Sequence, residues 1–363
     1  MPGIGLGRSL IATKLGKMFC NKYEEAVHKL NSLQSNKATI AQIRKHIKTG
    51  QRCTNMKDME NYLVRTGVPL SKLDELSVIH VAGTKGKGST SAMCESILRA
   101  YGYRTGFYSS PHLVAVRERI RLAGIPLSEA TFADYFHKVY DALYKTQEYE
   151  GDMPKYFAFL TVMAFNVFLE QKVDVAVVEV GIGGLVDYTN ILRKVPVIGI
   201  TALGLDHTAI LGTTLPEIAA AKAGVMKTGC LAYTVQQETE AMKVLQQKAC
   251  NVNCPLTIVP KYSTYAFQNG LRLSIQLEAY KMNASLAIQL AHAWMRIKCN
   301  NNVKNPDLLV KTLSKETVIG LRDCKWPGRY HIVETEWGSI YLDGAHTKES
   351  MEICAQWFEN NCR

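Results

Sequence analysis

No stretch of the chain reaches the roughly 18 uninterrupted apolar residues that a membrane-spanning helix needs, so nothing in it reads as a transmembrane segment. It has no internal repeat and no low-complexity run, and its 26 glycines and 11 prolines in 363 residues exclude a collagen-like chain. Charged residues make up only 21% against 47% hydrophobic, which excludes general disorder and leaves enough apolar mass for a full core. Paired metal-binding cysteines are also missing. Cys250 and Cys254 are separated by three residues with no second Cys/His pair nearby, so a zinc site is not expected. Ten cysteines at irregular spacings in so long a chain read as free thiols in a reducing compartment.

Acidic residues are scarce at one end. Residues 1–50 hold nine Lys/Arg against two Glu, so they supply +7 of the net +11, and the remaining 313 residues supply only +4. A nucleic-acid binder concentrates its excess on a working face. Here the excess sits in an amino-terminal arm, and no nucleic-acid partner is expected. Residues 1–23 carry Arg8, Lys14, Lys17 and Lys22 among apolar residues with no acid, as a mitochondrial presequence does. We expect that segment at 1–17, with a second start at Met18 yielding an untargeted form. The protein is then expected in the mitochondrial matrix and the cytoplasm.

What is present is an alternation of helical patterns and short apolar strands. Strands are expected at 76–81, 105–108, 173–180 and 195–202, and helices at 23–33, 56–65, 89–101, 156–169, 215–222 and 283–297. This predicts a doubly wound, mostly parallel α/β sheet. Polar residues 299–305 read as a linker. Two further strands at 330–333 and 339–342 and a helix at 348–358 follow, in a segment short for a domain with its own core. The expected division is 18–300 for a phosphate-binding domain and 301–363 for an incomplete second α/β domain.

Residues 80–100 read as strand, glycine-rich turn and helix. Gly83, Gly86 and Gly88 let backbone approach phosphate oxygens, and a helix amino terminus aims amide donors at them. Lys87 is placed to reach terminal phosphates, and Ser89 or Thr90 to hold Mg²⁺. The generic Walker A spacing is not met: Val81 stands where it wants its first glycine, and Gly88 where it wants Ser/Thr. At the other strand ends stand Glu179 before Gly181, Gly183 and Gly184, Asp206 with His207, and Ser109, Ser110 and His112. Ligands of open α/β sheets collect at such carboxyl ends. A carboxylate inside an apolar run, as Glu179 is, costs too much unless paired or bound to metal.

GTKGKGST (83–90), YSSPHL (108–113), VRERI (116–120), VEVGIGG (178–184), DYTN (187–190), LGLDHT (203–208), AAAKAGVMK (219–227), WPGR (326–329) and LDGAH (342–346) together resemble the folylpolyglutamate synthase family of the Mur ligase superfamily, in its eukaryotic form. The resemblance implies ATP-dependent addition of L-glutamate to the γ-carboxyl of tetrahydrofolates through an acyl phosphate, by a monomer using ATP and Mg²⁺. It implies that Gly86, Lys87, Gly88 and Ser89 hold ATP phosphates, that Ser110 and Glu179 ligate one Mg²⁺ and His207 a second, and that Lys222 matches a lysine carbamylated in relatives. Arg329 and Asp343 match ATP contacts with His346 beside them, and Arg117 or Arg119 is expected to position substrate. Lys87, Glu179, His207 and Lys222 are the expected catalytic set.

Two departures stand out. The family's Gly-x-His-Gln-x-x-Asn-Ala reads here Leu277, Glu278, Ala279, Tyr280, Lys281, Met282, Asn283 and Ala284. The family's carboxyl-terminal domain also continues well past LDGAH. A catalytically poor ATP-binding relative, or an amide ligase charging dihydropteroate, therefore stays open beside the synthase.

Overall fold

The computed structural model describes residues 22–34, 55–268, 273, 275, 277–299, 308–346 and 348–362. The expected presequence and nearly all of the expected linker lie outside them. Helices longer than one turn are α1 (22–32), α2 (Asn55–Arg65), α3 (Lys87–Ala100), α4 (Glu129–Lys145), α5 (Tyr156–Glu170), α6 (Leu215–Ala223), α7 (Thr239–Asn251), α8 (Glu278–Cys299), α9 (Lys315–Arg322) and α10 (Lys348–Asn361).

Strands β1 (Val78–Ala82), β2 (Thr105–Tyr108), β3 (Ile120–Leu122), β4 (Ile125–Pro126), β5 (Val175–Glu179), β6 (Val197–Ile200), β7 (Leu231–Thr234) and β8 (Leu256–Ile258) form one sheet in the order β4-β3-β2-β5-β1-β6-β7-β8. From β2 to β8 all neighbours are parallel, and β3 and β4 add an antiparallel edge. The doubly wound α/β expectation therefore holds. β1, β2, β5, β6 and β7 are buried along their whole length, as sheets covered on both faces must be.

Alternation along the strands divides the core in two. Val78, Tyr108, Ala176 and Val178 join α1, α2, α4 and α5 on one face. Ile79, Phe107, Val177 and Tyr233 join α3, α8 and α9 on the other. Gly320 of α9 lies so close to α3 that an added Cβ would stand 2.5 Å from the Ile97 Cα. Residues just after the expected linker thus pack on the same sheet face as α3. Beyond them, β11 (His331–Thr335) and β12 (Gly338–Leu342) form an antiparallel hairpin, and β9 (Ala266–Phe267) pairs with β10 (Thr312–Leu313).

On the first face the Arg65 side chain is buried and makes four hydrogen bonds. Its Nη1 donates to Asp152 Oδ2 at 2.8 Å, its Nη2 to the carbonyls of Leu143 at 2.6 Å and Asp152 at 3.1 Å, and its Nε to Thr146 Oγ1 at 2.9 Å. This one guanidinium fastens the end of α2 to the loop between α4 and α5. With β1 flanked by β5 and β6, and β5 by β2, the loops at 83–86, 109–113, 180–187 and 201–207 emerge side by side. That adjacency builds the site.

Candidate active site

The loop after β1 is held by its neighbours. The amides of Thr84 and Lys85 donate to the Ala202 carbonyl at 3.0 and 3.1 Å, tying it to the end of β6. Gly83 has φ +146, and an added Cβ would fall 1.8 Å from Thr201 Oγ1. Gly86 caps α3 in the left-handed conformation, φ +86, where a side chain is strained, and its Cβ would fall 2.2 Å from Asn283 Oδ1. At Gly88 a Cβ would stand 3.1 Å from Trp326 and 3.4 Å from Glu179 Oε2. A Ser or Thr at this position, as in a generic Walker A sequence, would crowd the Trp326 ring.

Lys87 folds back so that its Nζ donates to the Thr84 carbonyl at 3.3 Å. Its charge acts on Glu179, Asp206, His207 and Lys222 alike, so it stands among them. Glu179 is buried, and its Oε2 accepts from the Ser110 amide at 3.1 Å. Burial pushes its pKa up to about 7, against the pull of Lys87 and the Ser110 amide. Lys222 is buried on α6 and donates to the Gly83 carbonyl at 2.6 Å. Burial pushes its pKa down to about 7, and the Lys87 charge adds to the effect. This bond makes Lys222 a brace under the glycine loop, a second task that no local pattern encodes.

His207 has φ +49 at the start of the one-turn helix Thr208–Leu211, and its amide donates to Asp206 Oδ1 at 2.8 Å. Burial lowers its pKa against the pull of Asp206, and the charges of Lys87, Lys222 and His346 add to the lowering. Ser89 is buried on the first turn of α3.

From the far side comes the arm at 326–329. The Arg329 guanidinium lies over Gly344, where a Cβ would fall 1.7 Å from Nη1, and its charge acts on Glu179. Asp343 uses both oxygens on backbone, accepting from Tyr330 N at 2.8 Å and Ala345 N at 2.9 Å. It locks the two ends of the β11–β12 hairpin. His346 is exposed and pairs its Nδ1 with the Gly344 carbonyl at 2.8 Å.

The two arginines of VRERI separate. Arg117 turns to the Leu127 carbonyl, with Nη1 at 3.3 Å. Arg119 donates from Nε to His112 Nδ1 at 2.9 Å, lies 5.3 Å from the Tyr156 ring centre, and acts on Glu179. Of the pair, Arg119 is the one that faces the Glu179 side.

Several residues were not singled out by sequence. Glu118 accepts from the amides of Leu113, Val114 and Ala115 at 2.9, 3.1 and 2.7 Å, and so folds the loop after Ser110. Buried Asp187 accepts from Ile182 N and from Thr189 N and Oγ1, which shapes the loop after Glu179. Both lie inside quoted motifs, VRERI and DYTN, and an acid amid backbone-rich turns was the available signal. Lys85 Nζ is buried without a hydrogen-bond partner among the described residues, a second ammonium in the loop. In the altered stretch at 277–284, Tyr280 lies on the first turn of α8 and meets Tyr330 edge to face at 5.6 Å. The replaced polar position has become an aromatic contact with the arm.

Among the described residues no group of three or more His, Cys, Asp and Glu stands together. Glu179, Ser110 and His207 fit a cation held mainly by one carboxylate, water and substrate phosphates, which is how Mg²⁺ is commonly bound.

No family model matches the chain. It is 44% identical over 353 residues to the mitochondrial folylpolyglutamate synthase of Homo sapiens, covering 93% of this chain and 60% of that protein. It is 40% identical over 369 residues to folylpolyglutamate synthase of Saccharomyces cerevisiae (strain FostersO), covering 96% and 65%. The chain thus spans a little under two thirds of these relatives. Among solved structures, the apo form of L. casei FPGS superposes with a TM-score of 0.76 at 24% identity, over 93% of this chain and 80% of that one. An FPGS–AMPPCP–folate complex gives 0.75 at 24% identity over the same shares.

Proposed function

As the chain is a homologue of the eukaryotic folylpolyglutamate synthases over the part of them it spans, we propose that it works in ATP-dependent joining of L-glutamate to the γ-carboxyl of tetrahydrofolates. The observation that carries this reading is the convergence of a glycine loop, Lys87 and Glu179 at neighbouring strand ends, with Arg329 reaching in from the arm at 326–329. In the reaction a folate carboxylate oxygen attacks the γ-phosphorus of ATP, ADP leaves, and an acyl phosphate forms. The glutamate amine then attacks the acyl carbon, inorganic phosphate leaves, and the nitrogen gives up its proton.

In this reading the amides at 86–89 and the α3 amino terminus bind the phosphates. Lys87 and Arg329 offset charge where two anions meet. Glu179, with Ser110 and His207, holds Mg²⁺, which when bound neutralises phosphate charge and orients its oxygens. Lys222 braces the loop, and its lowered pKa leaves the neutral amine that carbamylation requires. Asp343 sets the Arg329 arm, with His346 at its edge, and Arg119 orients the folate. The FPGS complexes with AMPPCP and with folate, and the names of the relatives, support these ligand classes.

We further propose mitochondrial and cytoplasmic forms, in keeping with the mitochondrial relatives of Homo sapiens and Bos taurus. The phosphate assignment is tested by Lys87→Ala. Nucleotide affinity and ADP release are expected to collapse with the unfolding midpoint unchanged. Undiminished ADP release would overturn the assignment.

A further inference from the structure

A cavity of about 300 Å³ lies away from the strand-end loops, between α3, the β2–β3–β4 edge and the connector at 323–326. That volume is at the lower end for small-molecule sites. Its wall carries Arg99, Arg121 and Lys325, and two acids, Glu95 and Asp323. Both acids are engaged. Glu95 Oε1 accepts from Thr105 Oγ1 at 2.5 Å and pairs with Arg99 at 3.4 Å, and Asp323 pairs with Arg322 at 2.7 Å.

Arg121 is different. It is 8% exposed, its guanidinium carbon lies 4.8 Å from the Trp326 ring centre, and its Nε donates to the Glu118 carbonyl at 3.1 Å. Among the described residues neither Nη atom has a hydrogen-bond partner and no carboxylate lies within ion-pair distance, while the charges of Glu118 and Glu95 act on it from further off. Its Nη atoms stay accessible to solvent in the cavity, so water meets their donors until a ligand displaces it. Here the flat group is fixed by an indole and one carbonyl, with its fork left for the cavity. A planar fork of this kind matches the two oxygens of a carboxylate or phosphate.

We propose that this cavity is a binding site for a small oxyanion, a carboxylate or phosphate group gripped by the Arg121 fork with Lys325 and Arg99 at its mouth. Occupancy would be felt at the phosphate loop. Trp326 forms the cavity wall and lies against Gly88, and the same connector leads to Arg329. The site does not depend on the ligase reading and stands or falls separately from it.

The test uses the 363-residue protein, with Trp326 fluorescence read as the difference from Trp326→Phe. Glutarate and inorganic phosphate are the probes. A saturable Trp326 signal is expected with at least one of them, and whichever saturates at lower concentration identifies the group the site takes. Arg121→Lys keeps the charge and loses the fork, and should weaken binding roughly ten-fold or more. Ala92→Leu, a helix-compatible change that fills the cavity from α3, should abolish the signal with the thermal midpoint retained. No saturable Trp326 signal with either probe, or equal affinity in Arg121→Lys and Ala92→Leu, would overturn the proposal.

Discussion

Replacing Gly86 by alanine probes how the nucleotide loop is built. Two costs arise and they are separable. Alanine at φ +86 pays roughly 1–2 kcal/mol for the left-handed conformation, partly offset by about 0.4–1 kcal/mol from a stiffer unfolded chain. The new Cβ also falls 2.2 Å from Asn283 Oδ1, so the asparagine must leave its place on α8. Displacing a packed side chain costs about 1–3 kcal/mol. Gly86→Ala is thus expected to lose roughly 1–4.6 kcal/mol in urea unfolding. In an Asn283→Ala background the same change should lose only the backbone part, about 1 kcal/mol, giving a coupling of about 1 kcal/mol or more. Nucleotide titration of all four proteins reads the same cycle in function. A neutral Gly86→Ala would refute the left-handed cap, and a coupling near zero would refute the contact between α8 and the loop.

His80 gives a pH test. It is fully buried on β1 with Nε2 on Thr189 Oγ1 at 2.8 Å, and burial lowers its pKa to about 3 from 6.5. Below the unfolded value the unfolded chain takes a proton that the folded one refuses, so stability falls as pH drops. From about pH 7.5 to about 5.5 the loss is about 1.4 kcal/mol for this residue. The slope should flatten in His80→Asn, and an unchanged slope would contradict the burial argument. Arg65→Met should cost about 3–5 kcal/mol, because Asp152 stays buried without its partner. Arg65→Met/Asp152→Leu should recover much of that in urea unfolding, and a double variant no more stable than the single would count against the network.

Four of the parallel strands were legible in the sequence as apolar runs, while the short parallel strands β7 and β8 were not expected. VDVAVVEV and VPVIGITA are apolar on both faces, and each closes on the polar residues that reach the site. Element ends were read less well: the strand expected at 173–180 is Val175–Glu179, since the ladder with β1 and β2 sets its length. Helices α4, α7 and α9 escaped notice. They cover one face only, and charged and polar residues interrupt their apolar spacing.

The antiparallel edge β3–β4 was missed because strands of three and two residues carry no period. Within the site, the glycines and Glu179 were readable from chemistry. The engagement of Lys222 with Gly83, and of Asp343 with two backbone amides, depends on residues far apart in the chain or on hairpin geometry that no local pattern encodes.

The central claim is tested most directly by incubating the 363-residue protein with ATP, Mg²⁺, tetrahydrofolate and L-glutamate and weighing the folate by mass spectrometry. The account predicts a product heavier by one glutamyl residue, formed in step with ADP and absent in Lys87→Ala. Unaltered folate from protein that is folded and binds ATP through Lys87 would contradict it.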